Sequence, residues 1–143
     1  VALVGSAMVA YHGDNVDEKT VIEVPASHAQ ITRNLYRGLP VPHPTWFIRS
    51  NVLKKFKYNV MFKRAQDQEL LLRLCADHRI ENITTPLVMY SYGNRRERLE
   101  KDLLSRRSLY RAQINYGMNH AVSLFYCLVS SCRIIGKYTF EKN

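Results

Sequence analysis

Residues 63–74 decide how the rest of the chain is interpreted, and they read Lys63-Arg64-Ala65-Gln66-Asp67-Gln68-Glu69-Leu70-Leu71-Leu72-Arg73-Leu74. Polar turn residues come first and an apolar pattern follows at once. Leu70, Leu71 and Leu74 are spaced at i, i+1 and i+4, which is typical of one buried helix face. The pattern predicts a helix from Asp67 to about His78, with Asp67 at or just before its first turn.

Asp67 has two interpretations at this position. Unpaired backbone N–H groups and the positive end of the helix dipole meet at a helix N-terminus. A carboxylate there is fixed in direction and favoured in its charged form, which suits a base that takes a proton from a hydroxyl within reach. Asp is also a favoured N-cap residue, so the side chain could simply cap the helix. One residue can serve in both roles.

A wider stretch, residues 42–90, carries short motifs in a fixed order. They are Pro42-His43-Pro44-Thr45, the apolar run Trp46-Phe47-Ile48 ending in Arg49, Tyr58-Asn59, Ala65-Gln66-Asp67, Leu72-Arg73-Leu74 and Thr85-Pro86-Leu87-Val88-Met89-Tyr90. Their order and spacing resemble the C-terminal half of a family 2 glycosyltransferase of GT-A fold. The resemblance covers about His43 to Tyr90, and more loosely the chain from Val1. It implies an α/β fold with a mixed sheet flanked by helices and followed by two C-terminal helices.

In the resembling family the aspartate at the position of Asp67 is the catalytic base. Two departures from the family pattern stand out. Gln66 replaces the acidic residue that precedes the base, so a carboxylate pair is lost. Phe56 and Lys57 stand where the family has glycines before Tyr58, so we expect that turn to be built differently.

The resemblance also implies how the chain is divided and what the rest of the protein contains. It divides the chain into an acceptor-side half over residues 1–93 and a helical extension over residues 94–143. The family's nucleotide-binding half, with its Asp-x-Asp metal motif, is expected before residue 1, so we interpret the chain as a fragment that is inactive alone. A divalent metal, Mg or Mn, is expected in the full-length protein and bound by residues outside this chain. The implied partners are a nucleotide-sugar donor and a saccharide or lipid-linked acceptor, and the implied reaction is inverting hexosyl transfer to a hydroxyl in bacterial surface polysaccharide biosynthesis.

Seven further residues are candidates for substrate binding: His43, Thr45, Trp46, Arg64, Gln66, Arg95 and Arg96. The resemblance places His43 and Trp46 beside the sugar-binding cleft. The arginines are candidates for the diphosphate, because guanidinium groups bind phosphate in a bidentate manner. Each has a structural alternative: a turn for His43, the core for Trp46, a solvated loop for Arg64 and a charged helix start for Arg95 and Arg96. Arg73, inside the helix, is expected to form a structural ion pair.

Composition limits the class of protein and its partners. The chain has 143 residues, enough for one domain with a core. Its net charge of +9 favours anionic partners such as nucleotide phosphates or lipid head groups. Three cysteines at irregular spacing, Cys75, Cys127 and Cys132, argue against a disulfide framework. We therefore expect a cytoplasmic protein, which could lie at the inner face of the membrane.

The remaining pattern predicts a series of alternating strands and helices. Ser27 and Ser50 are expected N-caps, and Gly38 and Gly117 are expected to end helices. Tyr58, Met61 and Phe62 are expected to pack against the floor of a cleft. The predicted strands are Val1–Tyr11, Thr20–Val24, Thr45–Arg49, Ile80–Ile83 and Thr85–Tyr92, and the predicted helices are His28–Arg37, Ser50–Lys55, Arg95–Arg111 and Ala121–Ile135.

The two C-terminal helices leave the function of that region open. The apolar helix Ala121–Ile135 is too short to span a bilayer. It could lie on a membrane surface, pack on its own core, or form a homodimer with a second copy. A rival interpretation makes the whole chain a basic module that binds nucleic acid or an anionic membrane through these helices, whereas the transferase interpretation expects no nucleic-acid partner.

Overall fold

The computed structural model describes residues 1–12, 15–92 and 98–140, and they form a mixed α/β fold around one central strand. Strand β1 (Leu3–His12) pairs in parallel with β4 (Ile80–Tyr92) along one edge. Its other edge is shared by two antiparallel strands, β2 (Asn15–Ile22) and the short β3 (Phe47–Ile48). The predicted N-terminal strand and its return arm are therefore confirmed.

Strand β4 is continuous, although the sequence predicts two separate strands in its place. Two steps along β1, from Ser6 to Met8, correspond to five steps along β4, from Ile83 to Val88. The surplus residues lie on either side of Pro86, which itself pairs with Ala7 between two register shifts. Proline lacks an N–H for the ladder, and such residues are found in strands mainly where the pairing is irregular.

Helix α3 (Gln66–Asp77) lies against the sheet and supplies much of the core. Leu70, Leu71 and Leu74 are buried, as predicted, together with Leu3 of β1 and Ile80 of β4. The core cluster comprises Ala2, Leu3, Ile31, Leu35, Val41, Val52, Leu70, Leu71, Leu72, Leu74, Cys75, Ile80, Leu109 and Ala112. Burial of this apolar surface fixes the position of the α3 N-terminus relative to the sheet.

The segment between α1 (His28–Asn34) and α3 differs most from the sequence expectation. The predicted strand Thr45–Arg49 is reduced to β3, because residues His43–Thr45 form a 3₁₀ turn. Its Thr45 N–H and hydroxyl both donate to the Pro42 carbonyl oxygen, at 3.0 and 2.8 Å. The following helix α2 (Ser50–Phe56) is capped by Arg49 without a side-chain bond, so the expected Ser50 cap is wrong.

Ser27, by contrast, caps α1 as predicted. Its side chain accepts from the Gln30 N–H, and the Gln30 side chain accepts in return from the Ser27 N–H, a reciprocal capping box. Helix α1 ends at Asn34, three residues before the predicted Arg37. Ile31 and Leu35 face the core, as expected.

The C-terminal helices α4 (Arg98–Asn115) and α5 (His120–Phe140) meet at Gly117, whose φ of +74° ends the first one. Helix α4 joins the main core through Leu109 and Ala112. It is also tied to the first half of the chain, because the buried Gln113 amide donates to Leu35 O at 2.9 Å. The expected boundary at residues 93/94 lies outside the described residues. None of the described helices combines the length and the apolar character needed to cross a membrane.

Candidate functional site

A hollow of about 310 Å³ opens where the C-terminal parts of β1 and β4 approach the start of α3. The polar part of its lining, here called the polar wall, includes Asp67 and His43. The aromatic and apolar part, here called the aromatic wall, includes Tyr90, Tyr92 and Met8. An apolar hollow with a few convergent polar groups is the usual form of a small-molecule site.

Asp67 is the second residue of α3 and is half-buried. The N-cap is Ala65, in the left-handed conformation and without a side-chain cap bond, so the interpretation of Asp67 as the cap is wrong. One Asp67 carboxylate oxygen accepts the Gln68 N–H at 2.9 Å. Among the residues that the structure describes, the carboxylate forms no ion pair. It is therefore held by the helix start and remains available to a molecule in the hollow.

Two residues in unusual backbone conformations bound the loop that leads to Asp67. Ala65 has φ +57° and ψ +32°, and Lys57 has φ +50° and ψ +162°. The second combination is one that glycine adopts and other residues rarely do. Lys57 therefore holds a glycine-like backbone conformation although it carries a side chain.

Arg73 and Glu69 hold this loop from inside α3. The Arg73 guanidinium donates to Phe56 O at 2.6 Å and to Lys57 O at 2.7 Å. It also forms an ion pair with Glu69 at 2.8 Å, which confirms the predicted structural role of Arg73. Asn59, within the loop, donates to Glu69 Oε1 at 3.3 Å. The network therefore fixes both the start and the middle of the loop.

Glu69 is fully buried, yet the balance of forces keeps it charged. Burial is the largest influence and raises its pKa. Hydrogen bonds from Arg73, Tyr116 and Asn59, with the Arg73 charge, together outweigh burial, so the Glu69 pKa lies below its ordinary 4.5. A buried carboxylate satisfied in this way is a structural group, and it leaves Asp67 as the acidic residue that faces the hollow.

His43 stands on the polar wall and is joined to a neighbouring tyrosine. Its Nε2 lies 2.9 Å from the Tyr58 hydroxyl, and one of the two groups donates to the other. Burial raises the pKa of Tyr58, and the negative charge of nearby Asp67 raises it further. Tyr58 therefore stays a neutral phenol at neutral pH, next to the carboxylate. His43 and Asp67 line the hollow, and Tyr58 is joined to that lining through its hydrogen bond with His43.

Trp46 and Thr45 are placed close to this group but are engaged in structure. The Trp46 indole N–H donates to Val41 O at 2.9 Å, and its ring packs against the core and against the edge of His43. The Thr45 hydroxyl, besides its bond to Pro42, accepts the Ser6 N–H at 2.9 Å. Both residues therefore hold the 3₁₀ turn that presents His43.

The remaining candidate residues are less directly placed. Arg64 and Gln66 are exposed and flank the start of α3 without lining the hollow. Arg95 and Arg96 lie outside the described residues. Met61 is 83% exposed, so the expectation that it packs against a cleft floor is wrong, whereas Phe62 does pack against the core.

The aromatic wall was missed by the sequence interpretation. Tyr90 and Tyr92 are two residues apart on β4, so their side chains leave the same face of the sheet. Their rings are nearly perpendicular, at 82°, with centroids 5.2 Å apart. The i, i+2 spacing of two tyrosines at the end of a predicted strand was the available signal.

A second, more open depression of about 490 Å³ lies at the opposite end of α3. Two histidines line it: His28 accepts the Ile80 N–H through Nδ1 at 3.3 Å, and the His78 ring packs against Phe56. Burial raises the pKa of its cysteine, Cys75, to about 12, so the thiol stays protonated and is a poor nucleophile. We place the candidate site at the Asp67 end, where a carboxylate, a histidine and two tyrosines line one hollow.

Within residues 1–12, 15–92 and 98–140, no group of three or more His, Cys, Asp or Glu side chains is arranged to hold a metal ion. The described residues therefore do not fit a metal site. The expectation of a Mg or Mn ion bound by residues outside this chain stays a prediction.

Comparisons of the chain with protein-family models, with curated proteins and with solved structures give no match.

Proposed function

We propose that this chain is the acceptor-side part of an inverting glycosyltransferase of GT-A type, with Asp67 as the general base. The observation that carries the proposal is the position of the Asp67 carboxylate. It stands in the first turn of α3, faces a hollow of about 310 Å³ and forms no ion pair with any described residue. A structural carboxylate, as Glu69 illustrates, is instead buried and fully paired.

The chemistry follows from what a sugar hydroxyl requires. A hydroxyl is a weak nucleophile, so its proton must leave as the oxygen attacks the anomeric carbon. Asp67 accepts that proton, the new C–O bond forms, and the bond to the nucleoside diphosphate breaks on the opposite side with inversion. His43, which lines the same hollow and is joined to the Tyr58 hydroxyl, is placed to bind a neighbouring hydroxyl and to orient the acceptor.

The backbone of Lys57 agrees with the resemblance on which the proposal rests. The resembling family carries glycine at this position, and the chain here adopts φ +50° and ψ +162°, which glycine tolerates best. Residues outside this chain would bind the nucleotide-sugar donor and any Mg or Mn ion, and the role proposed for this chain is to orient the acceptor and take its proton.

The test is Asp67→Asn in a protein that also contains the nucleotide-binding half. Transfer from a panel of radiolabelled nucleotide sugars should fall by about 10²–10⁴-fold, because the amide cannot accept the proton. Asp77→Asn, at the other end of α3, is the matched control and should leave transfer unchanged. Circular dichroism should show both variants folded. Near-normal turnover in Asp67→Asn would make the carboxylate a structural group only and would refute the proposal.

A second function, contact with an anionic membrane surface, is favoured by the outer face of α5. Phe125 is 60% exposed and Leu128 is 57% exposed, and Ile135 continues the same side. Arg133 is exposed beside them, and the chain carries a net charge of +9. An exposed apolar face bordered by basic residues suits a helix that lies in the head-group region of a bilayer. This contact would add to the transferase function, since acceptors of such enzymes can be lipid-linked.

A further inference from the structure

Tyr90 and Tyr92 line the same hollow as Asp67. Both residues line it, and Tyr90 keeps 38% of its surface exposed although it stands on the strand next to β1. The nearly perpendicular rings, 5.2 Å apart, make a corner rather than a flat floor. A molecule seated in that corner meets the face of one ring and the edge of the other.

Apolar residues line the hollow together with the tyrosines. Met8, which is buried, Leu39 and Pro42 are among them. Asp67 and His43 are polar residues of the same lining. The hollow therefore suits a ligand that has both an apolar face and hydrogen-bonding groups.

A pyranose ring has this combination of surfaces. Its axial C–H groups form a weakly positive, apolar face that is attracted to the negative face of an aromatic ring. Its hydroxyls project from the rim and reach polar partners. An alkyl chain would cover the tyrosines equally well but would leave the Asp67 carboxylate facing a group that cannot hydrogen-bond, which is unfavourable. The volume, about 310 Å³, is at the small end of the ligand-site range of about 300–1,000 Å³ and suits one ring.

We propose that Tyr90 and Tyr92 form a stacking platform for one pyranose ring of the acceptor, which directs a hydroxyl of that ring toward Asp67. This inference rests on the proposed transferase function and adds the class of the acceptor, a pyranoside. The tyrosines bind the ring and position it, and Asp67 performs the proton transfer.

The test is binding of methyl β-D-galactopyranoside and methyl β-D-glucopyranoside to this chain, measured by saturation-transfer difference NMR. Wild-type protein should show transfer to the ring C–H protons. Tyr90→Leu and Tyr92→Leu, which keep apolar bulk but remove the ring, should each weaken binding by about three- to tenfold. Tyr90→Phe and Tyr92→Phe keep the ring and should bind like the wild type. Thermal melting would confirm that each variant is folded.

Tyr11→Leu is the matched control. Tyr11 pairs with Ser91, which lies between the two platform residues, so its side chain leaves the opposite face of the sheet. It should not change pyranoside binding. Three results would each refute the proposed stacking platform. They are failure of the wild type to bind the pyranosides, binding by the Leu variants that equals that of the wild type, and tight binding of decanoate in place of the pyranosides.

The platform and the proposed catalytic role fail in different ways. If Asp67→Asn abolishes transfer while the Tyr→Leu variants leave the acceptor KM unchanged, the transferase stands and the platform is refuted. If pyranoside binding depends on the tyrosines but Asp67→Asn keeps full transfer, the platform stands and the role of Asp67 is refuted.

Discussion

The Tyr116 hydroxyl donates a hydrogen bond of 2.6 Å to Glu69 Oε1, across 47 residues of sequence. Tyr116 follows α4, and Glu69 lies in α3 at the centre of the network that holds the loop before Asp67. The C-terminal region and the candidate site are therefore joined through one buried carboxylate. The α4 helix is part of the scaffold of the site rather than an appendage to it.

Loss of the Glu69 charge should destabilise the whole fold. Glu69→Ala leaves the Arg73 guanidinium without its ionic partner and the Tyr116 and Asn59 donors without their acceptor, so we expect a loss of about 3 kcal/mol in the free energy of unfolding. Urea denaturation measures this directly. Tyr116→Phe removes one hydrogen bond only and should lose about 1.5 kcal/mol. Equal and small losses in both variants would contradict a central role for Glu69.

Glu69 should also make the protein acid-labile. Its pKa is lowered in the folded state from an ordinary 4.5, so the folded state binds the proton less readily than the unfolded state. The contribution is therefore fully present above pH 4.5 and is lost as the pH falls through the folded pKa. Urea midpoints should drop below about pH 4.5 in the wild type, and this part of the drop should be absent in Glu69→Gln.

Lys57→Gly should stabilise the protein. The Lys57 backbone, at φ +50° and ψ +162°, strains any residue with a Cβ, and relief of that strain exceeds the extra chain entropy of glycine. We expect a gain of about 1 kcal/mol in the free energy of unfolding, measured by urea denaturation. Lys54→Gly, in the regular helix α2, should instead lose about 1 kcal/mol. A loss at both positions would show that Lys57 is not strained.

The sequence was most informative where one periodicity decides the structure. The apolar spacing of Leu70, Leu71 and Leu74 predicted α3 and its buried face correctly, because the burial of that face dominates the local energetics. The apolar run rich in valine and alanine at Val1–Tyr11 likewise predicted the central strand, which runs from Leu3 to His12. These elements place Asp67 at the start of a helix beside the sheet.

Tertiary contacts decided what local patterns could not. The β-branched Thr45 favoured a strand that starts there, yet the Ser6 N–H and the Pro42 carbonyl oxygen bind the Thr45 hydroxyl and hold it in a 3₁₀ turn. The irregular register around Pro86 depends on pairing with β1, so the sequence divided one strand into two. The tyrosine pair belongs to the site only because the Asp67 loop packs near the end of that same strand.

The outer face of α5 should bind anionic vesicles. Phe125→Asp with Leu128→Asp puts two charges on its exposed apolar side, so co-sedimentation with phosphatidylglycerol-containing vesicles should weaken by about tenfold or more. Val60→Asp is the control, because Val60 is 84% exposed in the loop before Asp67 and lies far along the chain from α5. The alternative is that this face binds a second copy of the chain, and light scattering tests it. In that case the wild type would be a dimer, the double variant would be a monomer, and neither would bind vesicles.

Asp67→Asn should lower the pKa of Tyr58, and this tests the site without any enzymatic assay. Burial is the larger cause of the raised Tyr58 pKa, and the Asp67 charge adds to it because a nearby anion disfavours a phenolate. Removal of that charge should bring the Tyr58 pKa down, while burial still holds it above the ordinary 10.0. NMR titration of protein with ¹³C-labelled tyrosine rings would resolve Tyr58, assigned with Tyr58→Phe. Asp77→Asn, at the far end of α3, should leave the titration unchanged. An unaltered Tyr58 pKa in Asp67→Asn would place the carboxylate away from His43 and Tyr58 and would remove the polar wall on which the proposed base depends.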